Sequence, residues 1–287
     1  MVPEFAINYR KLERSVELSG KSRSTLTNYA RCLSHMALHF GRSPLSLDRE
    51  QVLDYLHYQK RRHKTPSDSF FKHTVYGLRY LYRIYDLPGH RVALPSIERP
   101  KKLPVVLNRE EVKLLLRTPK LHKHRLLLAL LYGCGLRNAE LRNLYIKDID
   151  MDRKQLHIRQ GKGRKDRYVP LCDLLIRGIQ SYLDSEHPIQ WLFNGNDKSG
   201  KSVGLSPNGV QWVVKQARQH SGILKEVTTH SLRHTYATHL LEMGMDIMSL
   251  KDLLGHVDIQ TTMVYLHVSR IGKTAVFSPL EKLYGPR

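Results

Sequence analysis

The chain has 287 residues, and its 47 Lys and Arg against 26 Asp and Glu give a formal net charge of +21. Hydrophobic residues at 41% and only 13 prolines exclude a disordered basic tail and fit a packed globular protein. The longest apolar stretch, residues 126–136, is 11 residues with two glycines, and a membrane-spanning helix needs roughly 20. The N-terminal MVPEFAINYRKLER carries acids and no apolar run of signal-peptide length, so secretion is not expected. Cys32, Cys134 and Cys172 lie far apart and form no CxxC pair, which suits a reducing cytoplasm. A charge surplus of this size makes a polyanion the leading partner. Residues 1–104 carry a net +10 and residues 105–287 a net +11, so both halves are basic. No basic amphipathic helix with a Trp/Phe/Leu face suggests a membrane surface.

The first hundred residues read as helices. Leu26, Tyr29, Ala30, Leu33, Ala37 and Phe40 repeat at the three-and-four spacing of one helical face. Asp48 is placed to cap a helix through Val52, Leu53 and Leu56, and Ser67 or Asp68 to cap a longer one. The buried stripe of that longer helix should be Phe71, Val75, Leu78, Leu81, Tyr82 and Tyr85. About four helices are expected, packed as a bundle. Residues 87–105 follow, with Pro88, Pro95, Pro100, Pro104 and a basic run, and read as an extended interdomain linker. The expected division is a helical domain over 1–90, a linker over 91–106 and a second domain over 107–287.

In the second domain, Asn108 and Glu111 have the spacing of a capping box. A helix should run from about Lys123 to Tyr132 and stop at Gly133-Cys134-Gly135, with another from Asn138 to Leu144. Residues 156–158 and 168–171 flank the turn GKGRKD and read as a β-hairpin. Ser206-Pro207 marks a helix start, and that helix should reach about His220. Three more helices are expected: Thr229 to Met243 with Gly244 as stop, Asp246 to just before Gly255, and one from Asp258. The fold class is mainly α with a small antiparallel β-sheet (α+β).

Several residues could carry chemistry. His230 and Arg233 are three apart, so one helical face can present an imidazole and a guanidinium to a single phosphate. His234 stands four after His230 and raises a zinc reading. The metalloprotease pattern needs Glu where Ser231 stands, and no third ligand is evident, so the plainer reading is three surface histidines on a basic helix. Arg137 sits between a glycine stop and a new helix, where backbone N–H groups and a guanidinium could hold an anion. Taken alone it reads better as the ion-pair partner of Glu140. Lys162 lies in the hairpin turn among Arg164, Lys165 and Arg167, as a phosphate contact or merely solvated. His256 follows a helix stop in LLGH, and Tyr265 is one of 15 tyrosines.

In order along the chain, GLRNAEL, GKGRKDRYVPL, THSLRHTYATHLL, LLGH and TTMVYLH resemble the tyrosine recombinase (phage-integrase-type) family. Arg137, Lys162, His230, Arg233, His256 and Tyr265 fall on that family's six catalytic positions, and none departs from the pattern. The basic helical first domain is similar to the family's core-binding domain.

The resemblance implies cutting and rejoining of double-stranded DNA at specific sites through a 3′-phosphotyrosine and a Holliday junction. Tyr265 would be the nucleophile, and Arg137 and Arg233 would bind the non-bridging oxygens. Lys162 would be the general acid, His230 would take the tyrosine proton and His256 would hydrogen-bond the phosphate. The resemblance also implies no cofactor and no metal, cytoplasmic action, and a clamp of two lobes around DNA. It further implies a homo-tetramer on two duplexes, with an accessory recombinase or directionality factor among the partners it allows. The tail at 274–287 would dock on a neighbouring subunit or pack on its own domain. Integration and excision of a mobile element rank just ahead of Xer-type dimer resolution, and an integron integrase is a further alternative. From other classes, a DNA-binding protein without catalysis and a relaxing topoisomerase remain.

Overall fold

The structure is a computed structural model describing residues 2–62, 68–92, 94–95, 103–159, 166–196 and 202–269. The chain divides into two compact units, Met1–Lys101 and Lys102–Arg287. In both, the elements are mainly helical, with small antiparallel sheets in the second, as the sequence patterns lead one to expect.

Among the described residues the first unit has five α-helices: α1 (Pro3–Leu18), α2 (Arg23–Phe40), α3 (Arg49–Arg62), α4 (Asp68–Ile84) and α5 (Pro88–Val92). The Asp48 carboxylate accepts from the Gln51 N–H at 2.9 Å, opening α3 as its position suggests. On α4, Val75, Leu78, Leu81 and Tyr82 are buried, and Phe71 and Tyr85 pack against the same core. Ser67 lies outside the described residues.

Two findings differ from the sequence reading. Helix α1 was not anticipated, because its core face runs through Phe5, Asn8, Leu12 and Val16. Asn8 is buried. Its amide donates to Ser43 Oγ at 2.6 Å and accepts from the Tyr85 hydroxyl at 2.7 Å. A satisfied polar residue in the stripe hides the apolar period. The second difference is α5, which lies where an extended linker was expected. Pro88 occupies its first turn, where a missing N–H leaves no bond unmade. Leu94 is buried in the first core, and Arg79 donates to the Pro95 carbonyl at 2.8 Å. The chain therefore packs with the first unit up to Pro95.

The second unit contains α6 (Arg109–Arg117), α7 (His122–Gly133), α8 (Asn138–Arg142), α9 (Asp173–Glu186), α10 (Pro207–Ser221), α11 (Thr229–Glu242), α12 (Ile247–Leu254) and α13 (Gln260–Val268). Strands β1 (Ile149–Asp150), β2 (Gln155–Ile158) and β3 (Arg167–Pro170) form an antiparallel sheet in that order. Leu156 pairs with Val169 and His157 with Tyr168, in strands where a hairpin was expected. The turn at 160–165 lies outside the described residues. A separate hairpin, β4 (Asn194–Asn196) with β5 (Ser202–Gly204), was not foreseen. NGN and SVG are too short and too polar to show alternation.

Caps explain most boundaries. Asn108 and Glu111 exchange both bonds of a capping box at 2.7 and 2.8 Å. Ser206 Oγ accepts from the Gly209 N–H at 3.0 Å, and the Asp246 carboxylate accepts from the Met248 and Ser249 N–H groups. The centre of the unit is α7, with Leu126, Leu127, Leu128, Leu130 and Leu131 all buried. A smaller cluster joins Tyr236, Ala237 and Leu241 of α11 to Leu250 and Leu254 of α12 and Tyr265 of α13. Among the described residues, no helix is long and apolar enough to cross a membrane.

Candidate active site

Arg137 ends the turn after α7 and is the N-cap of α8, which brings Glu140 back toward it. The Glu140 side chain is only 5% exposed. Its Oε1 accepts from Arg137 Nη1 at 2.6 Å and Arg167 Nη1 at 2.9 Å. Its Oε2 accepts from Arg167 Nη2 and the Arg137 backbone N–H, both at 2.8 Å. Arg233 Nη1 lies 3.8 Å away. Burial alone would raise the Glu140 pKa, but the Arg167 fork and then Arg137 bring it down to about 2. It is a carboxylate at any ordinary pH.

The same three guanidiniums hold the C-terminus of α12. There the Lys251 and Asp252 carbonyls accept from the His256 and Gly255 N–H groups. The next three carbonyls take an arginine each. Leu253 accepts from Arg167 Nε at 2.9 Å, Leu254 from Arg233 Nη2 at 2.5 Å and Gly255 from Arg137 Nη2 at 3.3 Å. A helix C-terminus leaves its last carbonyls unpaired and carries partial negative charge, so cations belong there. Arg233 also donates to the Gly135 carbonyl at 2.5 Å. Gly135 has φ +58°, and a Cβ there would sit 2.3 Å from the Tyr236 ring, so no other residue fits.

Beyond that turn, His256 faces Arg233 Nη2 at 3.1 Å through Nε2, and its Nδ1 is 2.9 Å from Thr262 Oγ1. A guanidinium only donates. Nε2 is therefore the acceptor, and the ring proton sits on Nδ1 toward Thr262. The Tyr265 ring lies 6.4 Å from the His256 ring and nearly parallel to it. Tyr265 is 2% exposed, and its hydroxyl is 3.1 Å from His234 Nδ1. Burial raises the Tyr265 pKa, and Arg233 and Arg137 oppose that rise. Burial, with His230 and Arg233 nearby, lowers the His234 pKa to about 4. His234 is thus neutral at pH 7 and able to accept. His230 is more exposed than its neighbours on α11, and its ring is 6.4 Å from that of His234. Its pKa is lowered by burial first and then by Arg233 and Arg137.

Five of the six residues singled out in the sequence thus come together: Arg137, Arg233 and His256 in direct contact around the end of α12, Tyr265 against the His256 ring, and His230 beside His234. Lys162 lies outside the described residues, as does the tail at 274–287. Among the described residues, no three His, Cys, Asp or Glu side chains are grouped to hold a metal ion.

Residues 105–270 match the phage integrase family model. The chain belongs to the phage integrase family. The tyrosine recombinase XerA of Thermococcus onnurineus is 35% identical over 261 residues, covering 90% of this chain and 89% of that protein. The tyrosine recombinase XerD of Staphylococcus epidermidis is 33% identical over 300 residues, covering 97% and 95%. The fold is shared with the XerH site-specific recombinase crystallised on a palindromic difH substrate in a post-cleavage complex. That likeness has a TM-score of 0.71 at 21% identity and covers 96% of this chain and 83% of that one. Tyrosine recombinases are enzymes that cleave and rejoin DNA, and this chain is one of them.

The sequence reading of this recombinase overlooked three residues of the cluster. Glu140 was weighed only as an ion-pair partner for Arg137, whereas it faces three guanidiniums. Arg167 was named only as one of the basic residues around Lys162, yet its side chain is 9% exposed. His234 was considered as a zinc ligand or a surface histidine, and it is the residue on the Tyr265 hydroxyl. Its i,i+4 spacing from His230 places both imidazoles on one face of α11, a signal that was available.

Proposed function

We propose that this chain is a site-specific DNA recombinase acting through a 3′-phosphotyrosyl bond to Tyr265. The observation that carries the reading is the convergence of Arg137, Arg233 and His256 at the end of α12, beside a tyrosine hydroxyl resting on a neutral imidazole. Tyr265 Oη attacks the scissile phosphorus, the bond to O5′ breaks, and Lys162 supplies the proton that O5′ takes up. In the return step the 5′-hydroxyl of the partner strand attacks, and the tyrosine leaves. The tyrosine proton passes to an imidazole. His234, already at hydrogen-bond distance and neutral, is better placed for it than His230, to which the family resemblance gives that role.

Arg137 and Arg233 take the non-bridging oxygens, where charge gathers in the transition state and planar forks bind better than an ammonium. His256 can donate to the phosphate only after Nε2 gains a proton and gives up the bond from Arg233. Tyr265 is buried, so the packing around α13 must loosen for its hydroxyl to meet a phosphate held by Arg137. The ester energy is kept in the phosphotyrosine, so this chemistry calls for neither ATP nor a metal.

The first unit is read as the sequence-blind grip on the duplex. Along α4, Lys72 and Arg79 lie over the Tyr76 ring at 5.7 and 5.9 Å, and Arg83 lies over the Tyr80 ring at 4.5 Å. Basic groups interleaved with aromatic rings suit a phosphate backbone. Four protomers on two duplexes, with the tail at 274–287 linking neighbours, would complete strand exchange. Mobile-element integration and Xer-type resolution use the same chemistry, and the DNA flanking the gene distinguishes them.

The test is a nicked suicide duplex carrying the cognate site. Wild type should trap as a covalent adduct, and Tyr265→Phe should bind without trapping, a loss of about three orders of magnitude or more. An adduct that persists in Tyr265→Phe would refute the nucleophile. Absence of any wild-type adduct would favour a binding protein, and supercoil relaxation without pairing of two sites would favour a topoisomerase.

A further inference from the structure

We infer that Arg167 is a positioning residue: it neutralises Glu140, so that Arg137 and Arg233 keep their charge for the phosphate. The inference rests on the reading that those two arginines hold the scissile phosphate. Three guanidiniums face one buried carboxylate, and the division of labour among them is uneven. Arg167 closes a two-pronged pair with both oxygens of Glu140 and commits its Nε–H to the Leu253 carbonyl. All three of its nitrogens are thereby engaged, whereas Arg137 and Arg233 reach their partners through Nη1 and Nη2. Arg137, at 18%, is the most open of the three, and Arg233 stands off Glu140 at 3.8 Å.

Remove the Arg167 charge and the geometry predicts a transfer. An unpaired carboxylate in a poorly solvated site cannot remain uncompensated. The nearest cations are Arg137, already on Oε1, and Arg233, which needs to move by only about an ångström to reach contact distance. Both would be drawn onto Glu140 and away from a phosphate. Arg167 also holds the turn that carries His256. A Cβ at Gly255, where φ is +62°, would lie 3.1 Å from Arg167 Cδ and 3.2 Å from its Nη1. The Gly255 backbone therefore lies flush on the Arg167 stem. Through Glu140 on one side and Leu253 on the other, one side chain sets both the arginine pair and the His256 turn.

The test is a double-mutant cycle on the suicide duplex, comparing wild type, Arg167→Gln, Glu140→Gln and the double variant. Adduct formation is followed in a single turnover, with DNA affinity and melting temperature measured alongside. Arg167→Gln should slow adduct formation about tenfold or more while DNA affinity changes by less than about threefold. The double variant should be at least about threefold faster than Arg167→Gln, because the charge that captures the arginines is gone. A bracing role alone predicts the opposite order, since each amide loosens the site further. Arg167→Gln at the wild-type rate, or a double variant no faster than it, overturns the inference. Should Arg167→Gln fail to fold, Arg167→Lys decides, since it keeps the charge without the fork. It should stay within about tenfold of wild type, and a slower rate overturns the inference. Absence of any wild-type adduct would instead overturn the underlying reading of the site, so the two failures are distinguishable.

Discussion

Helix α4 of the first unit buries Val75, Leu78, Leu81 and Tyr82 and keeps Lys72, Arg79 and Arg83 over its tyrosine rings. Helix α11 of the second buries Arg233, Thr235, Thr238 and His239 alongside Leu232 and Ala237. On α4, apolar atoms make the core and charge stays at the rim, where it can meet a polyanion without desolvation. On α11, charge and hydroxyls are taken inside, and all but the Thr238 hydroxyl are matched. Thr235 Oγ1 accepts from the Leu107 N–H and donates to the Ser231 carbonyl, His239 faces the Tyr132 hydroxyl, and Arg233 has two carbonyls and His256. A helix that only packs can do so with an apolar stripe. One that carries a buried guanidinium has to surround it with partners.

Arg233→Lys should break α11 as a catalytic element without breaking the fold. An ammonium cannot serve the Gly135 and Leu254 carbonyls and a phosphate in one plane. Adduct formation should fall by about two to three orders of magnitude, with DNA binding retained. A rate within tenfold of wild type would make the buried guanidinium structural, and the contrast with α4 would lose its point. The complementary change is Lys72→Glu with Arg83→Glu on α4. It should reduce the slope of log affinity against log salt by about two and leave adduct formation at saturating DNA unchanged. An unaltered slope would place the duplex contact on another face of the first unit.

The smallest expected effect concerns pH. The folded pKa of His234 is depressed to about 4, and its ordinary value is 6.5. The unfolded chain therefore binds more protons below pH 6.5. Stability from keeping His234 neutral is present above that value and lost as pH falls toward 4. Melting temperature should decline over that window, and His234→Gln should flatten the decline. His124, His230 and His239 are depressed by burial as well, so the difference between the two curves is the quantity that reports His234. Parallel curves would mean that the folded protein does not keep His234 neutral below pH 6.5.

Boundaries were legible in the sequence wherever one side chain or one glycine makes the stop. Asn108, Ser206, Asp246 and Gly255 act locally, within three residues, and spacing displays them. The apolar stripe of α4 was legible for the same reason. Helix α1 was obscured by Asn8, whose partners are 35 and 77 residues away. Arg167 was misread because Glu140 is 27 residues from it and on another element. The polar core of α11 looked like a surface, since Thr, His and Arg suggest exposure until long-range partners are known. Five of the six residues of the expected site lie together because the family motifs mark them. What holds those residues in place is set by tertiary contacts that no local pattern encodes.

The end of α12 gives the arginines a resting acceptor each before any DNA arrives. On the proposed reading a phosphate would therefore not meet idle donors; it would exchange with carbonyl oxygens already in place. The net gain of such an exchange between neutral acceptors is small. A charged oxygen wins it, because hydrogen bonds to an anion are about twice as strong. On that reading, preference for a phosphodiester over an uncharged acceptor would have part of its origin in main-chain atoms. Substituting the side chains of Leu253 or Leu254 would leave those oxygens where they are, and the preference with them.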